Sequence, residues 1–331
     1  MRLPEDPIFV IGNPRSGTTL LRFILSSHPR IHIPPETGFL PFLFDAPERE
    51  LSLAEVEQIL DRLGGYNRDW KNMVDDARAF YDTLPCPTLK WVLDALYRQK
   101  VAPYGATRWG DKGPSYVAYV PAIARIFPSA QFVHMIRDGR DTTLSAQRKW
   151  GNSHWYMDNY YLLSNWVRNV NRGQEAGAML GPERYLEIRY EDLVQRPSPV
   201  VKRICLFLNE QFDSAMMQHT TLANQLLETD TAYPNVRRPI STQSVQRWKR
   251  EMVSFDLKLS SRVAGPKLQE LGYVTPELET FSLAEWARYT FLRCKYLVVD
   301  FLRGRLYKHG ALVLGHRNRS KILRFFTELS L

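Results

Sequence analysis

The sequence predicts an α/β fold in three layers, helices on both faces of a parallel central sheet, followed by a helical C-terminal extension. Three observations carry that expectation. Short apolar, β-branched runs alternate with longer stretches of helical period. The first such run passes through a Gly-bounded loop straight into a helix. The 331-residue chain is also 44% hydrophobic and 24% charged, ample for a large core, with no repeat or low-complexity tract. Length alone suggests two domains, although large α/β folds often run as one.

Taken in order, Pro7–Gly12 (PIFVIG) reads as a short buried strand, opened by Pro and closed by Gly. After the loop, Leu20, Leu21, Ile24 and Leu25 fall at helical spacing, and Pro29 closes that helix. A more irregular, mostly helical region follows, with helical patterns near Leu53–Leu63, Asp75–Tyr81 and Leu89–Lys100. Trp109–Ser115 reads as an extended segment entering a loop. A helix over Val117–Phe127, a strand over Gln131–Arg137 and a helix from Asp138 come next. A long helix over about Trp155–Met179, a strand over Arg184–Tyr190 and helices near Val200–Leu208 and Ser214–Leu227 complete the alternation. A ligand then belongs at the carboxyl ends of the strands, where the first loop lies.

That loop is Gly12-Asn13-Pro14-Arg15-Ser16-Gly17-Thr18-Thr19. Its G-x-x-x-x-G spacing is that of an ATP- or GTP-binding P-loop, but Thr18 stands where the phosphate-binding Lys belongs. Backbone amides at a helix N-terminus favour an anion whatever the side chains do. Arg15 adds a planar fork for an oxyanion, and Thr18 and Thr19 add hydroxyls. The plain alternative is an ordinary strand-to-helix turn. The second constellation is IRDGRDTTLS: Arg137 ends a strand, Ser145 lies eight residues on, about two turns into the next helix, and Lys149 one further turn along. A strand that ends in Arg rather than in a metal-binding Asp is built to meet negative charge directly. Its alternative is a solvated Arg/Asp cluster.

With both pieces on the page, the sequence resembles the sulfotransferases that use 3′-phosphoadenosine 5′-phosphosulfate (PAPS), the tyrosylprotein and bacterial-type branch above all. The likeness runs from about Ile8 to Tyr273 and implies the P-loop-type version of the three-layer fold. It implies that Pro14–Leu20, with Arg15, Ser16, Gly17, Thr18 and Thr19, is the 5′-phosphosulfate loop. It places Arg137 and Ser145 at the 3′-phosphate and Tyr190 of YEDLV beside the nucleotide. Glu36 of IPPETGF matches the family's base, Lys112 of GDKGPS the lysine that steadies the transition state, and Arg15 joins them at the sulfuryl group. The segment RRPISTQSVQRWKREM resembles the one that closes over the donor, with Ser244 or Arg247 as contacts, but lacks the Gly-rich gate of the cytosolic branch. A donor without a γ-phosphate explains the missing lysine, and no metal is expected. A loop carboxylate at Glu36 and a solvated Lys112 are the plain alternatives. His28 and His134 lack metal-ligand spacing.

The expectation is therefore a sulfotransferase that moves a sulfuryl group from PAPS to an acceptor hydroxyl and releases 3′-phosphoadenosine 5′-phosphate (PAP). Glycan, glycolipid, peptide tyrosine and small molecules are all open as acceptors. The rivals are a P-loop kinase or other phosphotransferase with a degenerate loop, and a non-catalytic nucleotide-binding protein at a membrane. Residues 1–281 are expected to form the catalytic domain, with 39–108 on the acceptor side, and 282–331 the extension.

That extension holds most of the charge. It carries ten Lys/Arg and three Asp/Glu, a net of +7 out of +9, so the body need not bind nucleic acid. Leu283, Trp286, Phe291, Cys294, Leu297 and Phe301 recur at helical period with Arg and Lys on the other side. The expectation is a helix that docks by the Trp286/Phe291/Leu297 face, keeps its basic side in water, and leaves weak anionic-lipid contact to Lys321–Leu331. Three dispersed cysteines (Cys86, Cys205, Cys294) argue against a disulfide framework. No apolar run approaches the ~20 residues of a membrane span. With so short a lead into the first strand, no signal peptide is expected. A cytoplasmic protein with peripheral membrane contact is the expectation.

Overall fold

The computed structural model describes residues 6–37, 49–66, 70, 73–151, 155–227, 234–276 and 280–313. The chain begins with β1 (Ile8–Gly12), α1 (Thr18–Ser26) and a two-residue β2 (Ile31–His32). Three helices follow: α2 (Leu53–Tyr66), α3 (Ala77–Thr83) and α4 (Leu89–Val101). β3 (Arg108–Lys112), α5 (Val120–Ile126), β4 (Gln131–Ile136), α6 (Gly139–Trp150), α7 (Asn159–Leu180) and β5 (Tyr185–Arg189) restore the alternation. The rest is helical: α8 (Tyr190–Gln195), α9 (Pro197–Leu208), α10 (His219–Leu226), α11 (Trp248–Glu251), α12 (Ser254–Glu270) and α13 (Leu283–Val313).

The five strands form one parallel sheet in the order β2-β3-β1-β4-β5. Successive side chains of β1 point to opposite faces, and each face has its own core. Phe9 and Ile11 join Trp109, Tyr97, Phe127 and Phe132 on one side. Ile8 and Val10 join Leu21, Ile24, Val133 and Ile204 on the other. Burial on both faces is why the strands read as unbroken apolar runs. β1 is central: the chain turns one way to β3 and the other to β4. The crevice beyond the carboxyl ends of these strands is the switch point where α/β sheets place ligands.

The extension departs from expectation in its orientation. α13 does pack on α7, but through Tyr289, Leu292, Tyr296 and Val299. Ion pairs Lys258–Glu285 (3.1 Å), Arg168–Asp300 (2.8 Å) and Lys295–Asp158 fasten it. Phe291 and Leu297, expected on the docked face, are more than half exposed, and Trp286 is partly so. Glu285, Lys295 and Asp300 turn toward the body, where partners of opposite charge meet them, and part of the apolar arc turns outward. Lys321–Leu331 lies outside the described residues. Among the described residues, no helix is long and apolar enough to cross a membrane.

Candidate active site

The loop between β1 and α1 is held in shape from several sides. Ser16 N–H donates to the Asn13 carbonyl at 3.1 Å, and Asn169 of α7 donates to Asn13 Oδ1 at 2.9 Å. Gly17 caps α1 at φ 97°, a left-handed conformation that suits glycine. A Cβ there would lie 2.5 Å from the ring of Tyr190, so glycine is also required for the ring to close on the loop. Arg15 adopts φ 70°, the kind of local strain that binding loops retain. No acidic side chain occupies the first turn of α1, and no side chain caps it. Its amides and Thr18 and Thr19 therefore meet the crevice as an anion-favouring end.

A cavity of about 390 Å³ opens in front of this loop. It is lined by Arg15, Gly17, Thr18, Thr19, Glu36, Arg137, Ser145, Lys149, Tyr190, Ser244 and Arg247. Nearly every residue singled out from sequence thus converges on one space. The exceptions are Ser16, which is fully buried beneath the loop, and Lys112, which lies just behind the wall.

Arg137 sits where β4 ends, and its guanidinium stacks 4.4 Å from the centre of the Tyr190 ring. It donates to the carbonyls of Arg15 (3.1 Å) and Ser244 (2.6 Å), tying the loop to the segment before α11. Trp166 donates to the Arg137 carbonyl at 2.9 Å and fixes the strand end. Arg137 Nε–H is buried without a hydrogen-bond partner. A buried orphan donor on a cation needs an acceptor, and a phosphate oxygen is one that fits. Arg15 Nε donates to Ser145 Oγ at 3.1 Å, so loop and α6 meet across the cavity. Arg247 lines the cavity but spends its fork on Glu251, at 3.1 and 2.9 Å. Leu20, Val194, Val236 and Ile240 form an apolar stretch of the wall, and Trp150 adds an aromatic one. A group with a purine at one end and two acidic groups at the other fits this lining.

At the opposite wall, Lys112 Nζ pairs with Glu36 and lies 3.4 Å from Thr19 Oγ1. Lys112 is 2% exposed, and burial pulls its pKa below the ordinary lysine value, with Glu36 acting in the other direction. Glu36 is 35% exposed at its side chain and faces the cavity, within reach of an incoming hydroxyl. Sequence reasoning did not find what holds it. The next residue, Thr37, donates to Asp111 Oδ2 at 2.5 Å. Tyr97 donates to the same oxygen at 2.6 Å, and the Tyr116 hydroxyl lies 2.9 Å from Thr37 Oγ1. Burial pushes the Asp111 pKa up, and the hydrogen bonds oppose it. Asp111 and Lys112 are consecutive in β3, so this strand anchors Glu36 twice, once through Thr37 and once directly.

Behind Tyr190, Glu191 accepts from the Asp138 N–H and the Tyr273 hydroxyl, both at 3.0 Å, which pins α8 to the start of α6. Among the described residues no His/Cys/Asp/Glu group could hold a metal. His134 is a buried strand residue bonded to Tyr185, and His28 meets the Gln211 carbonyl at the end of α1.

A parallel sheet, a P-loop-shaped turn on its central strand and a cationic crevice beyond it define a P-loop-type α/β protein. The chain belongs to the sulfotransferase family, whose model matches residues 7–214, and is an enzyme of the PAPS-dependent kind. Protein-tyrosine sulfotransferase 1 of Danio rerio is 26% identical over 273 residues, covering 80% of this chain and 72% of that protein. Two solved structures share the fold at 23% identity each. One is the sulfotransferase domain of the curacin biosynthetic pathway (TM-score 0.56, covering 83% of this chain and 100% of that one). The other is the sulfotransferase domain of the Synechococcus PCC 7002 olefin synthase (TM-score 0.54, covering 82% and 97%).

Proposed function

We propose that the protein transfers a sulfuryl group from PAPS to an acceptor hydroxyl with Glu36 as the base. The observation that carries this reading is the pairing of Glu36 with Lys112 beside Thr19, on one wall of a cavity whose other wall holds Arg137 and Ser145. Residues 1–281 form the catalytic unit, with 39–108 on the acceptor side, and 282–331 extend it.

The donor supplies the sulfuryl group, and the chain supplies place and charge. The loop amides with Ser16, Gly17, Thr18 and Thr19 hold the 5′ end. Arg137, Ser145 and Lys149 hold the 3′-phosphate, Tyr190 and Trp150 flank the nucleotide, and Ser244 and Arg247 close over it. Glu36 takes the acceptor's hydroxyl proton as the new S–O bond forms. Lys112 and Arg15 stabilise the charge that gathers on the oxygen left behind when the old S–O bond breaks. A kinase reading is weaker, because Thr18 replaces the P-loop lysine and β4 runs into Arg137 where an Mg²⁺-binding Asp would stand.

The relatives' names make a peptide tyrosine the first acceptor to test. Glu36→Gln should keep PAP affinity within a few-fold and lower turnover of labelled PAPS by ~10²–10⁴, the usual worth of a general base. Near-normal turnover in Glu36→Gln would remove Glu36 from the mechanism.

A further inference from the structure

The outward face of α13 carries an apolar strip that nothing among the described residues covers. Leu283, Phe291, Leu297, Val298 and Leu302 are between 49% and 90% exposed, and Cys294 on the same face is exposed. At 100° per residue these positions fall within an arc of about 140°, and they span roughly 30 Å of helix. Such a contiguous exposed apolar surface marks an interaction site. It does not arise from a loosely held helix: Tyr289 and Tyr296 pack edge-on or tilted against Tyr160, and three ion pairs fasten the inner face.

We infer that this strip docks on an anionic membrane surface. The charge of the chain identifies the occupant. Glu285, Lys295 and Asp300 are paired with the body, so they do not interrupt the strip. From Arg303 onward the sequence holds seven Lys/Arg against one acid, Glu328. An apolar face followed by a basic segment is the composition of a helix that lies in the lipid interface. Each Lys or Arg near an anionic surface adds attraction that salt screens. A second copy of the chain is the poorer occupant, because pairing two strips brings two basic extensions together. The inference is independent of the transfer chemistry.

Sedimentation of the full chain with lipid vesicles tests it. Wild-type protein should bind phosphatidylcholine vesicles containing about 30% phosphatidylserine and bind pure phosphatidylcholine at least ~10-fold more weakly. Raising salt from about 0.05 to 0.5 M should weaken binding by a similar factor. The Phe291→Asp/Val298→Asp double variant should lose binding at least ~10-fold. Both positions are exposed, so it should keep the wild-type melting temperature and the same shift with PAP. Absence of wild-type binding to the anionic vesicles overturns the inference, and so does a double variant that binds as well as wild type. Light scattering that finds a dimer which the same substitutions split, with no vesicle binding, assigns the strip to a second copy instead.

Discussion

Thr37→Val tests whether Glu36, the proposed base, is held by the hydroxyl beside it. Valine keeps the β-branched shape of a side chain that is 1% exposed and deletes only the hydroxyl. That hydroxyl donates to Asp111 Oδ2 at 2.5 Å and lies 2.9 Å from the Tyr116 hydroxyl. Asp111 is fully buried, and its Oδ1 already lacks a partner, so the lost bond is not replaced by solvent. A hydrogen bond to a charged group contributes ~1.5–3 kcal/mol, and about 2 kcal/mol is expected here. At roughly 2–4 °C per kcal/mol for a domain of this size, the melting temperature should fall by about 4–8 °C. Thr37 does not line the cavity, so PAP affinity should stay within a few-fold. Glu36 loses one of its two anchors, and kcat should drop by ~10-fold or more, since misplacement by about 1 Å can cost ~10². Thr37→Ser keeps the hydroxyl and should recover most of both. Calorimetric melting, PAP titration and single-turnover transfer from labelled PAPS measure the three quantities. A valine variant with wild-type melting temperature and kcat refutes the reasoning; equal losses of PAP affinity and kcat would mean that the whole cavity had collapsed.

Two further outcomes rest on single residues. Gly17→Ala should lower PAP affinity at least ~10-fold by titration, because a left-handed φ costs ~1–2 kcal/mol and the new Cβ meets Tyr190 at 2.5 Å. His32, stacked 3.7 Å from Tyr104, has its pKa lowered from 6.5 to about 4 by burial, with Arg22 adding to the effect. The unfolded chain then binds a proton that the folded one refuses, so stability falls as pH drops from about 6.5 to 4, by up to ~3 kcal/mol. His32→Phe should flatten that part of the denaturant-midpoint-against-pH curve, and an unchanged slope would show that other groups set it.

The strands were legible because a parallel sheet buries both faces and leaves runs such as PIFVIG and QFVHMI bounded by turn residues. β2 escaped notice because two residues carry no period. α12 escaped because Pro266 stands inside it and Ser260, Ala264 and Gly265, small or polar, take half of its buried positions. The extension was recognised as a helix and turned the wrong way. Periodicity reports that a stripe exists, whereas its direction depends on partners such as Asp158 and Lys258, far away in sequence. The site divides similarly. Arg15, Arg137, Ser145 and Glu36 lie in short local motifs, and the cavity brings them together. The clamp on Glu36 joins Thr37 to Tyr97, Asp111 and Tyr116, 60 to 79 positions away, and no local spacing announces such a contact. Its one signal was adjacency, since Thr37 and Asp111 each neighbour a residue that chemistry had already singled out.

The central claim is that the cavity takes a nucleotide bearing a 3′-phosphate, held where β4 ends in Arg137. Titration calorimetry of PAP and ADP, in buffer containing a metal chelator, tests it most directly. The account predicts that PAP binds without metal and at least ~10-fold more tightly than ADP, because only PAP offers a phosphate to Arg137 and Ser145. In Arg137→Ala that preference should disappear. Equal affinity for the two nucleotides, or binding of PAP only when Mg²⁺ is restored, would contradict it.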